Sequence, residues 1–224
     1  MIIAIDGSAG SGKSTLAKRL ALEKGYEYVD TGAMYRAVTY YFIKNKINYK
    51  NPKMVEKSLE KINISFNSQK EKDSINFKIF INGQEISEEI RSFKVSNEVS
   101  EVSKVKGVRE FLVEKQRETG NDSDIVIEGR DIGTVVFPQA DFKIFLSADT
   151  YERMKRRHKD FLKKGVKLNN KELNNVISKR DLIDSSRKIS PLQKAADAVE
   201  IDTTNLLAEE VFKQALKIID IKKT

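Results

Sequence analysis

The chain has 224 residues, 39% of them hydrophobic and 33% charged, which suits one or two charge-rich globular domains with a sizeable core. It has no cysteine, which excludes disulfides, thiol chemistry and thiolate metal sites, and no stretch nears the roughly 18 apolar residues of a membrane span. A net charge of +8 attracts polyanions, nucleic acid and small nucleotides alike, and with no signal-peptide pattern at the N-terminus a cytoplasmic protein is expected.

Ile2, Ile3, Ala4 and Ile5 form a short apolar run that predicts a buried strand. Gly7-Ser8-Ala9-Gly10-Ser11-Gly12-Lys13-Ser14 follows at once and fits G-x-x-x-x-G-K-[ST]. Thr15 closes the stretch, and an apolar, helix-forming run begins at Leu16. Strand, glycine loop and helix in that order make residues 7–15 a candidate nucleoside triphosphate site. Glycine permits backbone angles and close approaches that a side chain would block. Successive N–H groups then point inward around a polyphosphate, and the helix adds the positive end of its dipole. Lys13 has the length to reach the β- and γ-phosphates, and the Ser14 hydroxyl is placed to ligate Mg²⁺.

The first helix is predicted to stop at Gly25. A short strand over 26–29 ends in Asp30-Thr31-Gly32, a helix over 33–45 carries Tyr35 and Arg36, and another helix opens at Asn51-Pro52. Alternation then takes over: Ile62, Ile64 and Phe66, followed by Ile75, Phe77, Ile79 and Ile81. Asn82-Gly83 is a type I′ hairpin signal, a third short strand surrounds Glu85-Ile86, and the polar stretch 67–74 predicts a loop. Helices follow over 92–103 and 107–119, then a strand over 124–128 that ends in Gly129-Arg130-Asp131. A strand over 142–146, a basic helix over 150–164, a polar loop over 165–169 and a polar helix over 172–187 come next. A strand over 198–201 and a helix over 206–219 complete the chain. Outside the insert, strands and helices alternate, which predicts an α/β fold with a parallel sheet covered on both faces. Residues 1–61 and 91–224 form the expected core, and 62–90 the small antiparallel insert.

In open α/β sheets, ligands sit beyond the carboxyl ends of the strands. Three such ends carry polar clusters: the glycine loop, Asp30-Thr31-Gly32 with Arg36 just after it, and Glu128-Gly129-Arg130-Asp131. Alone, Asp30-Thr31 could only cap a helix and Arg130-Asp131 could be a local ion pair. On one edge of one sheet they favour a site. Arg153, Arg156 and Arg157 share one helix face at i, i+3, i+4, and Arg180, Asp184 and Arg187 share another at i, i+4, i+7. These faces read either as solvated surface or as an arginine lid over phosphates. Phosphoryl transfer needs positive charge around three equatorial oxygens more than it needs a base. The Asn-Lys-x-Asp and Asp-x-x-Gly signals of guanine-specific GTPases do not occur. The balance favours a small-molecule phosphotransferase over a nucleic-acid-dependent ATPase, since no aromatic-interleaved basic patch offers a stacking platform.

Residues 7–15, Asp30-Thr31-Gly32-Ala33-Met34-Tyr35-Arg36, the string from Glu128 through Pro138, and Arg180-Asp181-x-x-Asp184-x-x-Arg187 resemble the bacterial cytidylate kinases. The likeness runs over nearly the whole chain. It implies a core of five parallel strands, a three-stranded NMP-binding insert and a helical lid over about 153–187. It implies ATP and Mg²⁺ as cofactors, CMP and dCMP as acceptors, neither nucleic acid nor membrane as partner, and a monomer. Carried over by position, Arg36, Arg130 and Arg187 would hold the CMP phosphate. Ser100, Arg109 and Asp131 would read cytosine, and Arg180 and Asp184 would meet the ribose. Arg153 and Arg157 stand where the family has lid arginines. Two departures are Ser8, where the family often has Pro, and Thr31, where it often has Ser; Thr31 keeps the hydroxyl. Lys13, Arg130, Arg153, Arg157 and Arg187 would carry catalysis. The cytosine N4 amino group is a donor that suits the Asp131 carboxylate, and uracil would present an unmatched O4 acceptor there. The attacking phosphate oxygen is already anionic near neutral pH, so no general base is expected and His158 reads as incidental. Another monophosphate kinase, for UMP, AMP or dTMP, stays open as the alternative.

Overall fold

The computed structural model describes residues 1–121, 123–163 and 170–221. The loop expected over 165–169, together with Lys222 and Lys223, lies outside the described residues.

Five strands, β1 (Ile2–Gly7), β2 (Glu27–Asp30), β6 (Ile125–Gly129), β7 (Phe142–Ser147) and β8 (Val199–Asp202), make one parallel sheet in the order β2-β6-β1-β7-β8. The apolar runs are continuous because both faces are covered. Ile3 and Ile5 point into one hydrophobic cluster and Ala4 into the other, as the two-residue period of a strand requires. The larger cluster takes Leu16 and Leu20 from α1 (Lys13–Lys24), Val38 and Phe42 from α2 (Thr31–Lys44), and Ala215 and Ile219 from a helix over Ala208–Ile221. The smaller one is closed by Ile132 and Val136, which sit in a π-helical turn directly after β6.

After α3 (Pro52–Leu59), β3 (Ile64–Glu71), β4 (Ser74–Ile81) and β5 (Gln84–Glu85) form the separate antiparallel sheet. Asn82 and Gly83 have φ of 50° and 79°, as the type I′ turn demands. The polar stretch read as a loop is instead the outer half of the hairpin: Asn67 pairs with Lys78 and the ladder runs on to Glu71 opposite Ser74. Alternation was missing there because β3 leaves the core after Phe66 and both of its faces meet solvent or a polar partner. The apolar face of β4 does not form a core of its own. Ile75, Phe77, Ile79 and Ile81 join the larger cluster, and Phe77 meets Tyr28 of β2 edge to face at 5.5 Å.

Two helices, α4 (Phe93–Val102) and α5 (Lys106–Glu118), return the chain to β6. After β7 come α6 (Thr150–Lys163) and α7 (Asn170–Ser186), and α8 is the Ala208–Ile221 helix. Strand–helix boundaries therefore put the glycine loop, the Asp30 turn and the Arg130-Asp131 turn side by side, at the carboxyl ends of β1, β2 and β6.

Candidate active site

The loop from Gly7 to Gly12 turns β1 into α1. A Cβ on Gly7 would collide with the carbonyl oxygen of Leu146 on β7, so only glycine lets the strand leave the sheet here. Gly12, at φ 94°, caps the helix in the left-handed region. Lys13 opens α1, is buried, and turns its ammonium back on the loop, donating to the Ser8 carbonyl at 2.6 Å. Burial holds its pKa well below the usual lysine range; Arg130 and Arg180 push the same way, and Glu128 and Asp6 oppose them. A cation desolvated in this manner gains most from an anion brought to it. Ser14 is exposed at the helix N-terminus and lines the pocket.

That pocket encloses about 230 Å³ beyond the strand ends. Ala9, Gly10, Lys13 and Ser14 of the loop line one side. Thr31 and Arg36 come from α2, Ser100 from α4, Arg130 and Asp131 from the β6 turn, Arg157 from α6, and Arg180, Asp184 and Arg187 from α7 and its end. The insert contributes Ile90 and no other residue of 62–90. Seven basic side chains line it against five acidic ones, an excess that calls for anions.

Asp184 organises the arginines. Arg130 donates to it at 2.9 Å, while Arg180 and Arg187 each stand 3.8 Å away. Burial alone would raise the Asp184 pKa, but the three guanidiniums outweigh it and hold the carboxyl below its usual value. Arg180 is less well served: its pKa is well below normal, through burial and then Arg130, and its buried Nε has no hydrogen-bond partner. Arg36 donates to the Ile90 carbonyl and the Ser96 hydroxyl, and burial with neighbouring Arg157 brings it down to about 10. It stays charged at neutral pH. Cations crowded at this cost mark a place built for a polyphosphate or phosphate group.

The acidic floor is Asp131. Its carboxylate takes Arg109 on one oxygen and Arg187, at 3.4 Å, on the other. Arg109 lies fully buried behind it, also donating to the Ser103 carbonyl and resting 5.3 Å from the Tyr35 ring, so it is not among the residues facing the cavity. Thr31 spends its hydroxyl on the Glu128 carbonyl at 2.7 Å. Gly129 is forced by the same crowding, since a Cβ there would meet Thr31 Oγ1 at 2.7 Å.

Other candidates sit elsewhere. Arg153 is buried outside the cavity lining, bonded to Asp181 at 2.5 Å and to the carbonyls of Ala148 and Ala9. Gly7, Ser8, Ser11 and Gly12 shape the loop and Thr15 lies in α1, and none of them lines the cavity. His158 does not line it either. Tyr35 does line it, and sequence reading gave it no role: its hydroxyl is buried without a partner in good hydrogen-bond geometry, and burial pushes its pKa up to about 12. Its position one residue before Arg36 was the available signal. Glu128 was singled out only as part of a cluster. It accepts from Tyr28 at 2.5 Å, and burial with nearby Asp30 raises its pKa.

The sequence profile of the cytidylate kinase family matches residues 3–221. A cytidylate kinase of Fusobacterium nucleatum is 44% identical over 220 residues, 98% of this chain and 97% of that protein. One from Bacillus velezensis is 46% identical over 220 residues, 98% and 96% of the two chains. The crystal structure of an uncharacterized protein from Eubacterium ventriosum superposes with a TM-score of 0.51 at 15% identity over 98% of each chain, a likeness of fold alone. A glycine loop, an arginine-ringed cavity and a match along almost the full length agree on one assignment: the chain belongs to the cytidylate kinase family.

Proposed function

We propose that this protein transfers the γ-phosphoryl group of ATP to CMP and dCMP, giving CDP or dCDP and ADP. The observation that carries the reading is the joining, in one cavity, of a triphosphate loop to an acidic floor at Asp131, ringed by Arg36, Arg130, Arg157, Arg180 and Arg187. ATP would lie along the loop, with Lys13 leaving the Ser8 carbonyl to meet the β- and γ-phosphates. Arg36, Arg130 and Arg187 would bind the acceptor phosphate, and Arg130 and Arg157 would stabilise charge on the transferring group. Asp184 would trade part of its arginine pairing for ribose hydroxyls. Asp131 keeps free lone pairs beyond its two arginines and would accept from cytosine N4.

The Ser14 side chain, hydrogen-bonded to the Glu128 carboxylate, and Asp30 line the same cavity as Glu128, a hard-oxygen environment that fits Mg²⁺, which is held by few protein ligands and by substrate phosphates. Ser14 would hold the ion, which would supply charge neutralisation to the triphosphate. No described group of three or more His, Cys, Asp or Glu residues forms a metal site on the protein alone.

Initial rates from ATP to CMP, dCMP, UMP, AMP and dTMP test the reading. Preference for CMP and dCMP is expected. Preference for another base would keep the phosphate chemistry and remove the roles of Asp131 and Arg109. Transfer to none of the five would overturn the proposal.

A further inference from the structure

Asp6 is the last residue of the buried β1 run before the glycine loop, and it is a carboxylate with 5% exposure. It does not line the cavity. Its Oδ1 accepts from the backbone N–H of Ile132 at 2.9 Å, and its Oδ2 from that of Gly133 at 2.7 Å. Those two N–H groups begin the π-helical turn that follows Arg130 and Asp131. Arg109 and Arg187 hold the Asp131 side chain and the N–H groups of Val135 and Val136 bond its carbonyl, while the tie from the turn's first two N–H groups to β1 is made by Asp6. A bidentate carboxylate on consecutive N–H groups fixes both the position and the rotation of the peptide units it holds. Here it does so across the β1–β6 pairing, where Asp6 stands opposite Gly129.

We propose that Asp6 is a positioning residue for phosphoryl transfer: by clamping the first two N–H groups of the turn to β1, it aims the Asp131 carboxylate and the Arg130 guanidinium into the cavity while touching neither nucleotide. This rests on the cytidylate kinase reading of the same site. Burying an acid in the middle of a sheet is costly, and an apolar residue would serve packing better. The groups facing Asp6 explain why the acid is tolerated. The N–H groups of Ile132 and Gly133 bond it, and Lys13 of α1 stabilises its charge while Asp131 opposes it. From β7, the Lys143 stem lies on the same side of Gly133 as Asp6 Oδ2, with its ammonium bonded to the Pro138 carbonyl and Asp197.

The consequence is specific. A turn released from β1 shifts Asp131 relative to the base, and misplacements near 1 Å cost about 100-fold in favourable cases. Loss of aim should fall hardest on the acceptor whose N4 needs Asp131, so the readout is the ratio of kcat/KM for CMP to that for UMP. This ratio does not depend on how much of a preparation is folded. Asp6→Asn keeps one acceptor and turns an NH₂ on the other N–H; Asp6→Ala removes both acceptors. We expect the CMP:UMP ratio to fall about tenfold in Asp6→Asn and further in Asp6→Ala, with the ATP KM nearly unchanged. In the wild-type enzyme the ratio should also fall at acid pH as Asp6 takes a proton. A drop of less than threefold in both variants, in an enzyme that itself prefers CMP, overturns the role of Asp6 alone. A wild-type enzyme with no CMP preference overturns the cytidylate reading and this inference with it.

Discussion

Nη1 of Arg153 stands 2.5 Å from Oδ2 of Asp181 and 3.3 Å from the carbonyl oxygen of Ala9, so one buried guanidinium joins α6, α7 and the phosphate loop. Asp181 sits between Arg180 and Asp184 on the helix that faces the acceptor end of the cavity. This link ties the donor loop to the acceptor helix. Replacing Arg153 with Met should raise the KM for CMP and lower kcat, although the side chain faces away from the cavity. Asp181→Asn should do the same, and the double variant should be no worse than either single one, with a coupling of about 1–2 kcal/mol in kcat/KM. Additive losses in that cycle would show that the two side chains act separately.

Lys13 is buried at the start of α1 and donates to the Ser8 carbonyl and the Ser11 hydroxyl of the loop. Lys13→Ala should cut kcat about 100- to 1,000-fold with CMP, dCMP and UMP alike, because the charge it meets belongs to ATP. Binding of CMP, followed by calorimetry without ATP, should stay within a few-fold of wild type. A base-dependent loss of rate would contradict this placement.

The parts legible in the sequence are those whose chemistry is local. The glycine loop announces itself because consecutive residues make the anion cradle, and Asn82-Gly83 because two residues make the turn. The Glu128 to Pro138 string was legible by likeness, although its π-helical geometry was not. Asp6 was missed because the residues it serves lie 126 and 127 positions away, and a lone acid ending an apolar run carries no spacing signal. Arg153 and Arg157 share a helix face, yet one is buried against Asp181 while the other lines the cavity; helical periodicity cannot separate them because the difference is made by α7. The strand over 67–71 was invisible to a period-2 search because its ladder is held by backbone bonds and neither side of it is buried in the core.

Tyr35 offers a test at the acceptor end. Its buried hydroxyl has no partner in good hydrogen-bond geometry, with only the Arg109 guanidinium nearby, and such a group costs stability unless a ligand completes it. Tyr35→Phe should leave Tm unchanged or raise it, and should raise the KM for CMP about three- to tenfold, the worth of one neutral hydrogen bond. A fall in Tm with an unchanged KM would place the hydroxyl in folding rather than binding.

Asp6 also makes stability and selectivity depend on pH. Burial raises its pKa from the ordinary 3.8 to about 6, against the lowering effect of the Gly133 and Ile132 N–H groups; Asp131 adds to the rise and Lys13 opposes it. The folded state therefore holds this proton more tightly than the unfolded chain. The group's favourable contribution is fully present below about pH 3.8 and is lost as pH rises through about 6. The full span corresponds to about 3 kcal/mol. Asp6→Asn cannot titrate there, so wild type should gain stability relative to the variant as pH falls from 7.5 to 4.5, read as urea midpoints at each pH. Over the same range the wild-type CMP:UMP ratio should fall, because a protonated carboxyl turns a donor toward one N–H, while the ratio of the variant stays flat. Stability and selectivity moving in opposite directions with pH distinguish a clamp that aims the turn from a residue that merely packs. Parallel pH profiles in wild type and Asp6→Asn would place the titration elsewhere.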